Sequence, residues 1–244
     1  MALKPEGLEV SHGRIVAHAY GDAYFSKEDG LAETRHVFLG GNNLPARWEH
    51  VPAGKNFCVA ELGFGTGLNF LGTVQAWRAA GRTNGLRYVG FEKFPLTCEQ
   101  MATVLNAWPE LADVQAELLA ALAGRALTEG FHALRVGAGV QAVELLLAIG
   151  DARDMLPLWP DWADAWYLDG FNPKTNAELW EPALLEDVCH HTVNGGTCAT
   201  YSAASHVRKT LQAVGFTVEK RKGFGKKREM LAGVKSKATR VYID

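Results

Sequence analysis

Glu61-Leu62-Gly63-Phe64-Gly65-Thr66-Gly67 sets glycines at alternate positions behind an acid. The motif follows the apolar run Phe57-Cys58-Val59-Ala60-Glu61-Leu62 and precedes a helical pattern from Leu68 to Ala80. A strand that gives way to a helix through glycines is a ligand-binding turn in an open α/β sheet, because glycine lets the backbone turn tightly and approach a ligand closely. A P-loop needs Gly-Lys followed by Ser or Thr, and Gly67 is followed by Leu68. The dinucleotide fingerprint G-x-G-x-x-G also fails, since its last position, counted from Gly63, is Leu68. On this motif alone, glycines that merely shape a turn stay open as the alternative.

Three more acids leave apolar runs. Glu92 follows Tyr88-Val89-Gly90-Phe91. At that distance past a glycine turn a carboxylate can accept both hydroxyls of a ribose; a solvated Glu paired with Lys93 is the plainer reading. Asp151 follows Leu145 to Gly150 and is placed either to accept from the exocyclic amine of adenine or to cap a helix. Asp169 lies in Leu168-Asp169-Gly170-Phe171-Asn172-Pro173. A carboxylate there, with nearby carbonyls, can orient an alkyl amine and hold the cation formed when that amine attacks. Phe171 adds an aromatic face for the charge. The alternative is a capping Asp beside a buried Phe.

Alternating strands and helices must position these groups. Strands are expected at Leu86 to Phe91, Ala165 to Leu168 and Thr197 to Tyr201. Helices are expected at Leu31 to Phe38, Leu96 to Trp108, Leu111 to Leu127 and Ala204 to Val214. A further helix, Leu179 to Val193, is closed by Asn194-Gly195-Gly196. Hairpins are expected at Leu8 to Val16, at Ala133 to Ile149 around Gly137-Ala138-Gly139, and at Phe216 to Val234 around Gly223-Phe224-Gly225. The pattern predicts an α/β fold: a doubly wound, mostly parallel sheet with an antiparallel C-terminal hairpin. Residues 1–50 are expected to form a small extension packed on a main domain of residues 51–244.

The 244 residues are 48% apolar and 21% charged with a formal net charge of -2, an ordinary globular composition that neither requires nor forbids a nucleic-acid partner. No C-x-x-C pair occurs among Cys58, Cys98, Cys189 and Cys198, so a reducing, cytoplasmic setting is expected. The sequence shows neither a signal-peptide core nor an apolar stretch long enough to span a bilayer. Cys189-His190-His191 has metal-ligand residue types, but adjacent side chains on a helix diverge, so no metal is expected. Trp159, Trp162 and Trp166 are expected in the core or at an interface.

The spacing Glu61-x-Gly63-x-Gly65-x-Gly67 is similar to motif I of class I, Rossmann-like methyltransferases. S-adenosylmethionine has no pyrophosphate. Its zwitterionic end suits an acid near the ammonium and a helix N-terminus near the carboxylate. From about Asp22 to Gly233 the chain resembles the methyltransferase domain of MnmC and its stand-alone relatives, sometimes called MnmD. The matching stretches include Tyr24-Phe25-Ser26, Glu33-Thr34-Arg35, Val37-Phe38-Leu39-Gly40-Gly41-Asn42 and Gly63 to Leu71. They continue with Phe91-Glu92-Lys93-Phe94-Pro95-Leu96-Thr97, Leu168-Asp169-Gly170-Phe171, Lys220 to Gly225 and Lys227 to Leu231.

The resemblance implies methyl transfer to the amine of 5-aminomethyl-2-thiouridine at the tRNA wobble position. It implies that Glu61, Gly63, Phe64, Gly65, Thr66, Gly67, Asn69, Glu92, Lys93, Asp151 and Asp169 hold the cofactor, with Asp169 also the catalytic acid. The fused relatives carry an FAD-dependent domain that exposes the amine, which implies either that a separate enzyme supplies it here or that the chain is a fragment. Asn172 departs from the family pattern, where Ala is expected.

Lys220, Arg221, Lys222, Lys226, Lys227 and Arg228 cluster around Phe224, with Lys235, Lys237 and Arg240 beyond, offset chiefly by Glu219 and Glu229. Such a patch neutralises phosphates, and Phe224 can stack on a base or fill a gap. Tyr24, Phe171, Lys222, Phe224, Lys226, Lys227 and Arg228 are therefore expected to bind an anticodon stem-loop. A solvated charged hairpin is the alternative. At the level of function, an aminopropyltransferase and an inactive tRNA-binding module compete.

Overall fold

The computed structural model describes residues 29–81, 84–170 and 176–236, with the backbone alone of strands at 8–11, 14–17 and 22–23. Those strands, β1 (Leu8–Ser11), β2 (Arg14–Ala17) and β3 (Asp22–Ala23), form a small antiparallel sheet, in agreement with the expected first hairpin.

The main sheet has eight strands: β4 (Phe57–Leu62), β5 (Leu86–Glu92), β6 (Gly130–Val136), β7 (Val143–Ile149), β8 (Ala163–Leu168), β9 (Thr192–Thr200), β10 (Phe216–Lys222) and β11 (Glu229–Lys235). Their order is β10-β11-β9-β8-β4-β5-β7-β6. The strands β9-β8-β4-β5-β7 are parallel, and antiparallel hairpins close both edges. From β4 the chain runs outward through β5 to β7, then returns to β8 on the other side. The crevice between β4 and β8 is thus a topological switch point, where open α/β sheets bind ligands at the strands' carboxyl ends. The α/β, doubly wound expectation holds.

Every residue of β4 is buried, as a central parallel strand requires. Side-chain alternation sends Val59 and Glu61 to one face, with Tyr88 of β5 and Tyr167 of β8. Cys58, Ala60 and Leu62 face the other core with Phe91, Trp159 and Trp166. The first face is covered by α1 (Gly30–Glu33), a π-helical continuation over Thr34–Gly40, α2 (Leu44–Trp48), α3 (Leu68–Ala79), α4 (Cys98–Leu105) and α5 (Ala112–Leu122). The second carries α6 (Ala152–Met155), α7 (Pro182–His190) and α8 (Ser205–Ala213). Leu31, Phe38, Leu44 and Trp48 share the first core with the sheet, so residues 31–48 are buried into it.

Several boundaries differ from the sequence reading. Helix α4 starts at Cys98, because Thr97 and Gln100 form a reciprocal capping box. Helix α5 stops at Leu122 instead of Leu127. Helix α7 stops at His190, and Asn194-Gly195-Gly196 belong to β9. There the register with β8 jumps from Ala163–Thr192 to Ala165–Thr197, so the expected helix stop is a bulged strand. Helix α2 was not expected. Trp159 and Trp166 are buried, whereas Trp162 is 55% exposed. Among the described residues no helix is long and apolar enough to cross a membrane.

Candidate active site

The glycine turn leaves β4 at the switch point with left-handed backbone at Gly63 (φ 85°), Gly65 (φ 54°) and Gly67 (φ 80°). Gly63 has a second constraint: a Cβ there would sit 2.2 Å from the Asp169 carbonyl oxygen. Only glycine lets the two strand ends come this close. Gly67 then opens α3 and directs that helix's N-terminal N–H groups at the crevice.

Glu92 is the last residue of β5, and Asp151 and Asp169 lie just past the carboxyl ends of β7 and β8. With neighbouring strands about 4.8 Å apart, the row from Asp169 past the turn to Asp151 spans roughly 14 Å. A nucleoside joined to an amino acid fits such a row. Glu92 accepts from the Gly65 N–H (2.8 Å) and the Phe94 N–H (2.7 Å), so the acid at the end of β5 fixes the glycine turn. Burial raises its pKa. Asp151 takes the capping role and adds ion pairs: it caps α6 through the Arg153 N–H (3.0 Å) and pairs with the Arg153 guanidinium (2.8 Å) and with Lys93 (2.9 Å). Arg153 and Lys93 hold it well below the usual carboxylate range. The Lys93 ammonium therefore helps to secure Asp151.

A buried polar chain underlies the turn. Asn69, on the first turn of α3, donates its amide to Glu61 Oε1 and to Asp169 Oδ2, each at 2.6 Å. The Thr34 hydroxyl lies 2.6 Å from Asn69 Oδ1, which fixes which end of the amide faces the carboxylates. The Tyr88 hydroxyl donates to Glu61 Oε2 at 2.7 Å. Glu61 is 1% exposed, so it supports Asn69 from beneath the turn and offers no surface of its own. Burial, and then the neighbouring Asp169, push its pKa well up. Burial pushes the Asp169 carboxyl up to about 7; Glu33 adds to the rise, and the Asn69 amide and Lys227 oppose it.

Phe64 and Thr66 are buried within the turn. The Phe64 ring lies against the Gly90 backbone and the rings of Phe70 and Tyr88. Tyr24 and Phe171 lie outside the described residues, as do Asn172, Lys237 and Arg240.

Two cations of the basic hairpin β10–β11 are paired within it, Lys220 with Glu229 (2.6 Å) and Arg221 with Glu219. Arg221 also donates to the Gly41 carbonyl (3.1 Å). Phe224 fills a gap, half-buried against the first core near His36. Exposed Lys222 and Arg228 have no carboxylate partner among the described residues. Lys226 is exposed at the hairpin tip. Sequence reasoning gave no role to Glu33, Thr34, Tyr88, Arg153 or Tyr201. For Tyr88 a signal existed, because its position in β5 puts it on the Glu61 face.

Cys189 is buried, His191 stacks on Trp159, and among the described residues no group of three metal-ligating side chains forms. An open cavity of about 640 Å³ lined by Arg47, His50, Lys55 and Asp164 lies at the opposite, amino end of β4 and is remote from the acids.

A family model described as S-adenosyl-L-methionine-dependent methyltransferase matches residues 109–236. The chain is 46% identical over 223 residues to the tRNA 5-methylaminomethyl-2-thiouridine biosynthesis bifunctional protein MnmC of Ectopseudomonas mendocina, covering 91% of this chain and 33% of that protein. To the protein of the same name from Aromatoleum aromaticum it is 45% identical, covering 91% and 34%. The chain thus spans about a third of the length of the curated relatives it matches. The fold also matches the crystal structure of MnmC2 from Aquifex aeolicus, with a TM-score of 0.73 at 23% identity over 95% of this chain and 72% of that one. The family model runs over more than half of the chain and takes in Asp151, Asp169 and the basic hairpin, so this chain belongs to the S-adenosyl-L-methionine-dependent methyltransferases.

Proposed function

We propose that the chain methylates the primary amine of 5-aminomethyl-2-thiouridine at the wobble position of tRNA, giving 5-methylaminomethyl-2-thiouridine. The observation that carries the reading is the position of Asp169: a carboxylate with a pKa near 7, aimed by Asn69, at the switch-point end of β8. The names of the MnmC relatives supply the substrate.

In this reading the amino end of α3 and the turn from Gly63 to Gly67 hold the cofactor's amino-acid end. Glu92 receives the ribose hydroxyls and Asp151 the adenine amine. S-adenosylmethionine, when bound, supplies an electrophilic methyl group. Asp169 acts on the acceptor. An alkylammonium has no lone pair to attack with, so a carboxylate that takes a proton near neutral pH frees the nucleophile. Asp169 passes that proton to water, and the regenerated carboxylate stabilises the secondary ammonium formed when the amine takes the methyl group. The exposed Lys222 and Arg228 meet phosphates of the anticodon stem-loop. The reaction consumes a free amine, so an enzyme that removes the carboxymethyl group from the precursor acts first.

Nucleoside mass spectrometry tests this. Purified chain with S-adenosylmethionine should add one methyl to tRNA bearing the aminomethyl group and none to unmodified tRNA. Asp169→Ala should impair turnover more than cofactor binding. An unchanged nucleoside profile with good substrate refutes the proposal.

A further inference from the structure

Lys227, in the basic stretch, turns toward the acids. Its ammonium lies 2.8 Å from Glu33 Oε1 and 3.8 Å from the centroid of the Tyr201 ring. Both partners are held in place. The Glu33 side chain is only 13% exposed at the end of α1. The Tyr201 hydroxyl donates to the carbonyl of Gly170, the residue after Asp169, at 2.5 Å. Glu33 and Lys227 both lie within electrostatic reach of Asp169. A carboxylate and an aromatic face thus hold a primary ammonium on a flexible stem next to the catalytic acid.

The acceptor proposed above brings the same chemistry, a primary ammonium on a short stem. We propose that Glu33 and Tyr201 form the receptor for the acceptor's protonated aminomethyl group, and that Lys227 occupies this receptor until RNA arrives. Two ammonium groups cannot share one carboxylate and one ring face, so the incoming amine displaces Lys227. The displaced side chain then lies beside Lys222 and Arg228, where a phosphate can pair with it. The acceptor ammonium next gives its proton to the Asp169 carboxylate: one N–H bond breaks, one O–H bond forms, and a neutral amine is left. This inference rests on the proposed reaction, and its test separates the two.

The experiment compares binding of two anticodon stem-loops, one with 5-aminomethyl-2-thiouridine and one with unmodified uridine, to the full chain at fixed salt. Wild type should prefer the amine-bearing RNA. Glu33→Gln and, independently, Tyr201→Leu should each cut that preference on the order of tenfold, with little change for the unmodified RNA or S-adenosylmethionine. Lys227→Met should keep or increase the preference, because the competing ammonium is gone. Its salt dependence should flatten by about one phosphate contact. Melting curves identify any variant that fails to fold, and the other two then decide. A full preference in Glu33→Gln and Tyr201→Leu, or its loss in Lys227→Met, overturns the receptor even if wild type methylates the RNA. Wild type that neither prefers nor methylates the amine-bearing RNA overturns the proposed reaction and the receptor with it.

Discussion

Asn69→Leu probes the chain that couples Glu61 to Asp169. Leucine keeps the branched shape of the amide but has no polar atoms. The substitution removes two donors to carboxylates, each at 2.6 Å, and the acceptor for Thr34. A hydrogen bond to a charged group contributes about 1.5–3 kcal/mol. Glu61 keeps the Tyr88 hydroxyl, and burial already disfavours its charge, so the loss should lie at the low end, about 3 kcal/mol in all. For a domain of this size that lowers Tm by roughly 6–12 °C. The pH dependence carries a second signature. Burial raises the Asp169 pKa to about 7 and the Asn69 amide pulls it down, so losing the amide raises it further. If the carboxylate is the active form, methyl transfer rises with pH through the folded-state pKa. The variant's acid limb should therefore shift toward higher pH, with more activity lost at pH 7 than about two pH units above it. Thermal unfolding and single-turnover methyl transfer across that range are the assays. A Tm within about 2 °C of wild type together with an unmoved acid limb would refute the network.

Gly63→Ala combines left-handed backbone with a Cβ 2.2 Å from the Asp169 carbonyl, so it should cost at least about 2 kcal/mol and weaken S-adenosylmethionine binding more than about tenfold. Calorimetric titration and melting checks this, and wild-type values in both contradict the close approach. Tyr88→Phe leaves Glu61 Oε2 without its buried donor and should lower stability by about 1–3 kcal/mol in urea unfolding; an unchanged midpoint counts against that hydrogen bond. Replacing both Lys222 and Arg228 with Ser should flatten the dependence of log K on log salt for tRNA binding by roughly 1.5. An unaltered slope means that these cations face no phosphate.

The sheet centre was legible because parallel strands announce themselves. Phe57 to Leu62 is an apolar run that ends in glycines, and β4 is buried throughout. The acids at the ends of β5, β7 and β8 were legible for the same reason, each standing where an apolar run stops. Helix α2 was not, because a five-residue helix derives its stability from burying Leu44 and Trp48, a tertiary effect. Asn194-Gly195-Gly196 was misread because the left-handed glycine that ends a helix also serves a bulged strand, and Gly195 at φ 78° satisfies both. Residue types led to Asp169 and the family resemblance to Asn69, but the bonds joining them to Thr34, Tyr88 and Glu61 cross between elements. No periodicity encodes contacts separated by 27, 35 or 100 residues.

Residues 33–41 and the last hairpin clasp each other over the first face of the sheet. His36 meets the Lys222 carbonyl 186 residues away, Arg221 meets Gly41 across 180, and Lys227 meets Glu33 across 194. The Asn69–Glu61 bond spans only 8. On the proposed reaction, the glycine turn assigned to the nucleoside is built from neighbouring sequence, whereas the side assigned to the acceptor closes only when the last hairpin returns to the first helices. A polypeptide still emerging from the ribosome, or one clipped after β9, keeps the local half of its chemistry and lacks the other. On that reading, substrate choice waits for the last hairpin to dock.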